Sequence, residues 1–155
     1  MTRIGTLLVI VVLVMMPVMF SANARSMVVE TADGDQVWCV PVDSGDTVQL
    51  QFTHSMFGGY VRENWLVTAD SSLERHLFVT ENAAAAEYYA TDGSSFQSDD
   101  GFVVPGPPLV QRELIVRVND RGNHVLSVND DSMPLAKEIR ESTQVRIFVT
   151  RQSCD

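Results

Sequence analysis

Basic residues are scarce in this chain of 155 residues: 20 aspartates and glutamates stand against 11 arginines and lysines, and Lys137 is the single lysine. The formal net charge is −9. A surface of that sign repels phosphate backbones and anionic headgroups, which argues against nucleic acid and anionic membrane surfaces as partners. Histidine is scarcer still, with His54, His76 and His124 the whole supply. No HxH, HExxH or CxxC spacing occurs, so a transition metal would need ligands gathered from distant strands, and no metal or cofactor is expected. A phosphate-binding loop, a dinucleotide fingerprint and a GxSxG elbow are all missing. There is no internal repeat and no low-complexity tail.

The one long hydrophobic run lies at the start. After Arg3, the stretch "IGTLLVIVVLVMMPVMF" is almost wholly apolar, and Ala22-Asn23-Ala24 follows as a small-x-small site. This is the layout of a secretory signal peptide over residues 1–24. An uncleaved anchor is the alternative, because a spanning helix needs about 20 apolar residues. Membrane contact is expected only through that segment. Pro17 and the Ala-x-Ala site favour cleavage, which leaves a single domain over 25–155 with ten basic and twenty acidic residues. That length buries a real core without dense disulfides. The two cysteines, Cys39 and Cys154, both fall in this exported part, and an oxidising compartment predicts one disulfide between them.

What the rest contains is alternation. "SMVVET", "QVWCVPV", "TVQLQFTH", "YVRENWLVT", "LERHLFVT", "GFVV", "RELIVRV", "HVLSV" and "TQVRIFVT" are separated by turn residues. Period-two apolar runs at this spacing predict an all-β domain, a β-sandwich or partly open barrel of eight to ten short antiparallel strands. "ENAAAAEYYA" interrupts the pattern with helix-forming alanines and reads as a short helix or a crossing loop. Asn129-Asp130-Asp131-Ser132 lacks the spacing of a calcium loop and reads as an ordinary turn. His76 and His124 are expected to be exposed.

The candidate site is the segment "FTHSMFGGYVRENW". A two-residue Gly58-Gly59 turn would set Phe57 opposite Tyr60, Phe52 opposite Trp65 and His54 opposite Glu63. Side chains alternate along a strand, so His54 and Glu63 would share the apolar face, and Ser55 and Arg62 the wetter one. Such a pair could orient a histidine for acid–base chemistry or ligand binding. It could equally be a satisfied polar pair that fixes the hairpin. The structural role is favoured because no further members of an active site accompany it. His54, Ser55, Arg62 and Glu63 are the candidate binding residues, and no catalytic residue is assigned.

The same segment resembles a family of small exported bacterial and archaeal proteins, a domain of unknown function. The resemblance rests on a strand ending in His54-Ser55, then Val61, Glu63 and the aromatic Trp65, with similar later strands. It implies an accessory role beside TAXI-type TRAP transporters, which take up small organic anions, with a transporter component or a small ligand as partner. A hydrolase using His54 and Glu63, or an interaction module of the cell envelope, are the alternatives. The glycine-rich segment usual in that family is replaced here by Ala83 to Ala86.

Overall fold

The computed structural model describes residues 24–90, 94–105, 109–139 and 143–154. The expected signal segment, except Ala24, lies outside the described residues. No helix among the described residues is long and apolar enough to cross a membrane.

Two antiparallel sheets face each other. The smaller has the order β2-β1-β12-β9, from β1 (Arg25–Thr31), β2 (Gln36–Val42), β9 (Glu113–Val118) and β12 (Thr143–Thr150). The larger has the order β11-β10-β3-β4-β5-β7-β6, with β8 also pairing to β5. Its strands are β3 (Thr47–Thr53), β4 (Tyr60–Val67), β5 (Leu73–Thr80), β6 (Phe96–Ser98), β7 (Gly101–Val104), β8 (Leu109–Gln111), β10 (Val125–Val128) and β11 (Asp131–Pro134). The chain is therefore an open, all-β sandwich. It has twelve described strands rather than the eight to ten expected, because β6, β8 and β11 are only three or four residues long. A run so short shows too little alternation to be read.

Alternation builds the core. Met27 and Val29 of β1, Val145, Ile147 and Val149 of β12, and Leu114, Val116 and Val118 of β9 are buried against Val48, Leu50, Trp65, Val67 and Leu126 of the larger sheet. The larger sheet is wider than its partner, so part of its inner face needs another cover. Helix α1 (Ala83–Tyr89) supplies it, with Ala86 and Tyr89 packed in a second cluster with Val61, Phe78 and Val104. Alanines let the helix axis approach the sheet closely. Asn82 starts the helix, its side-chain oxygen accepting from the N–H of Ala84 and Ala85 at 2.9 and 3.2 Å. Such a cap satisfies donors that the first turn leaves orphaned. A single turn, α2 (Leu135–Glu138), follows β11.

Cys39 and Cys154 are bonded, with Cα atoms 5.7 Å apart. The C-terminal tail thereby returns to β2, and Ser26 of β1 donates its hydroxyl to the Gln152 carbonyl at 2.8 Å. Asn129 and Asp130 form the tight turn between β10 and β11, with Asn129 at φ 51°.

Candidate functional site

The expected hairpin register is corrected by the structure. Thr53 lies opposite Tyr60, Phe52 opposite Val61, and Leu50 opposite Glu63. The connection is a six-residue loop from His54 to Gly59, closed by the His54 N–H to the Gly59 carbonyl at 3.0 Å and the Gly58 N–H to the His54 carbonyl at 2.9 Å. Gly58 and Gly59 both take positive φ, 63° and 77°, but they end the loop instead of forming its centre. The reason is the His54 side chain. Its Nδ1 accepts from the N–H groups of Met56 and Phe57 at 3.1 and 3.2 Å, which curls the chain at once. Asn82 then holds the loop down, donating its side-chain amide to the Phe57 carbonyl at 3.0 Å.

Accordingly the His54–Glu63 pair does not form. The register differs by an even number of residues, so Glu63 keeps its predicted face between Val61 and Trp65 but moves away from the loop. His54 meets Tyr89 of α1 instead, Nε2 to hydroxyl at 3.2 Å. Because Nδ1 accepts two N–H groups, it carries the lone pair, and the proton of a neutral ring belongs on Nε2, which donates to Tyr89. Both nitrogens of His54 are thus committed to holding the loop onto the helix.

Glu63 is half-buried, and burial raises its carboxyl above the usual range, opposed by the nearby positive charge of Arg75 and by Trp65. The Trp65 indole N–H lies close enough to favour the charged form, yet closes no hydrogen bond of normal geometry. Burial of the ring, and after it the same carboxylate, raise the Tyr89 phenol. With its folded value above its unfolded one, Glu63 binds a proton more readily in the native state. Its charge therefore costs stability at neutral pH, and that cost disappears as pH falls through the folded value. Glu63→Gln should raise the urea midpoint at pH 7, with the gain gone at pH 4. A lowered midpoint at pH 7 would mean the charge is compensated in place.

Arg62 points to the other face, across from Gln51, and pairs with Asp100 at 3.4 Å. Of the four candidate binding residues, His54 and Ser55 line a cleft, and Arg62 and Glu63 are outside it.

That cleft, of about 850 Å³, opens where β9 leaves the small sheet and β10 enters the large one. Phe52, Thr53 and the start of the loop form one wall, and Arg117, the turn from Asn119 to Gly122, and His124 form the other. The turn is rigidly built. Asn119 Oδ1 accepts from the N–H groups of Arg121 and Gly122, both at 2.9 Å, and the Gly122 carbonyl accepts from the Thr53 N–H at 2.7 Å.

His124 corrects the expectation of an exposed side chain, being only 9% exposed. Its ring stacks on Phe52 with centroids 5.7 Å apart and planes 19° from parallel. Space for it exists because residue 122 has no side chain: a Cβ there would lie 2.1 Å from His124 Cε1. Burial lowers the basicity of the imidazole and so favours its neutral form. Nδ1 is buried with no hydrogen-bond partner among the described residues. Nε2 makes no hydrogen bond among the described residues either and is not one of the enclosed atoms, and the ring that carries it lines the cleft. His76, by contrast, is exposed as expected.

Arg117 and Arg121 form no ion pair among the described residues. In a chain with 20 carboxylates this leaves two guanidiniums uncommitted at one cleft, with Asp120 the single acid in its lining. The sequence reading missed Arg117, Asn119, Arg121 and His124. The available signal was two arginines around a turn in an acidic chain, with a glycine two residues before a histidine. No group of three or more histidine, cysteine or acidic side chains that could hold a metal ion occurs among the described residues. Comparisons with protein-family models, curated proteins and solved structures each find no match to this chain.

Proposed function

We propose that this chain is an exported, non-enzymatic accessory domain that binds a small organic anion at the Arg117–Arg121 cleft, in the service of TRAP-type uptake. The observation that supports it is the pair of arginines without ion-pair partners among the described residues, beside the aromatic floor made by Phe52 and His124. Guanidinium groups bind carboxylates through paired N–H donors, and an apolar floor suits the carbon body of the same ligand. Arg117 and Arg121 against Asp120 make the cleft lining positive in a chain whose net charge is negative.

Export is supported by the N-terminal apolar segment and by the Cys39–Cys154 bond, since disulfides persist in oxidising compartments. A periplasmic or extracellular location follows, with a transporter component as the expected partner. The resemblance carried by His54-Ser55, Val61, Glu63 and Trp65 supports that partner. A hydrolase reading has lost its support, because it required Glu63 to orient His54 and both nitrogens of His54 are occupied.

Calorimetric titration of succinate at low salt tests the proposal. Wild-type protein should bind, and Arg117→Ala or Arg121→Ala should each weaken binding about tenfold, the scale of one charge-assisted contact. Added salt should weaken it too, because the cleft is open to screening. Unchanged affinity in both variants would remove the cleft from the function.

A further inference from the structure

We propose that the anion is a carboxylate carrying a hydroxyl or keto oxygen and no amine, and that His124 donates a hydrogen bond to that oxygen. The inference rests on the anion-binding reading above and adds the ligand's class. It follows from which groups in the cleft can donate and which can accept.

Arg117 and Arg121 are donors only. Asn119 has spent its side-chain oxygen on two backbone N–H groups, which leaves its amide N–H donors. The Gly122 carbonyl already accepts from the Thr53 N–H, and His54 has no nitrogen to offer. His124 decides the matter. A buried N–H without an acceptor is a rarer and costlier state than a buried acceptor without a donor. The enclosed, unpartnered Nδ1 is therefore the lone-pair nitrogen, and Nε2 carries the proton toward the cleft. The Thr53 and Ser55 hydroxyls can act either way, and Asp120 is the one fixed acceptor among the lining side chains.

Asp120 is exposed at the turn, where water competes for any ammonium group. A ligand bristling with acceptor oxygens meets a donor at every wall. Among the lining side chains an amine meets one carboxylate, Asp120, and two hydroxyls. Carbon between the oxygens can lie on the stacked rings of Phe52 and His124.

Malate, succinate and aspartate share a four-carbon dicarboxylate and differ at one substituent: hydroxyl, hydrogen or ammonium. Calorimetry at fixed ionic strength should give L-malate about tenfold tighter binding than succinate, one hydrogen bond's worth, with L-aspartate the weakest. In His124→Phe, which keeps a ring on Phe52, the advantage of malate over succinate should vanish while succinate still binds. A measurement on the unmutated protein guards against misfolding of that variant. Malate should shift the His124 Nε2 resonance in nitrogen-15 NMR well beyond the shift that succinate causes. Aspartate binding as well as malate, a malate advantage that survives His124→Phe, or a silent His124 resonance would overturn the inference while leaving anion binding intact. Absence of binding by all three would overturn both.

Discussion

Reducing the Cys39–Cys154 bond should lower the free energy of unfolding by about 2–5 kcal/mol, as expected for a bridge that closes a very long loop. The two cysteines are 115 residues apart in sequence, so the reduced unfolded chain regains much freedom. The native tail also loses its anchor to β2, leaving the Ser26–Gln152 hydrogen bond to hold it. Urea denaturation with and without reductant reads the difference, and thiol labelling of the unfolded, unreduced protein checks the bond. Labelling of both cysteines, or identical urea midpoints, would contradict this account of the tail.

A single methyl group at position 122 should do comparable damage. The Cβ of Gly122→Ala would stand 2.1 Å from His124 Cε1 and 2.4 Å from Nδ1, well inside contact distance. The imidazole cannot simply swing aside, because it is stacked on Phe52. Forced overpacking of this kind costs about 1–3 kcal/mol, and displacement of the ring should also weaken anion binding. Since φ at Gly122 is not in the left-handed region, the penalty is steric and depends on the ring. In a His124→Ala background the same substitution should therefore be nearly neutral. A double-mutant cycle by chemical denaturation measures that coupling. Equal cost in both backgrounds would mean that the ring is not what excludes the side chain.

The strands were legible because alternation over seven or eight residues has no other simple meaning. "QVWCVPV", "LERHLFVT" and "TQVRIFVT" are β2, β5 and β12 to the residue. Parity in the hairpin also survived, and Glu63 does face inward. Register did not survive. Glycines announce positive φ without saying whether they fill a turn or close one, and the outcome lay in His54 bonding its own loop.

The cleft was harder to read for a different reason. Its walls come from the end of β3 and the far end of β9, more than sixty residues apart, and no local pattern joins them. His124 looked exposed because it follows a polar turn. Its burial comes from the missing side chain of Gly122 and the stack on Phe52, both of which are tertiary facts. The contrast between the two cleft histidines is the result. His54, the conspicuous one, holds the loop, and His124 keeps a free nitrogen.

Following the backbone amides of isotope-labelled protein through the succinate titration tests the cleft most directly. Binding at the cleft predicts shifts concentrated at residues 52–55 and 117–124, growing together to saturation, with α1 and β6 still. Shifts centred on α1 and β7, or none at saturating succinate, would contradict it.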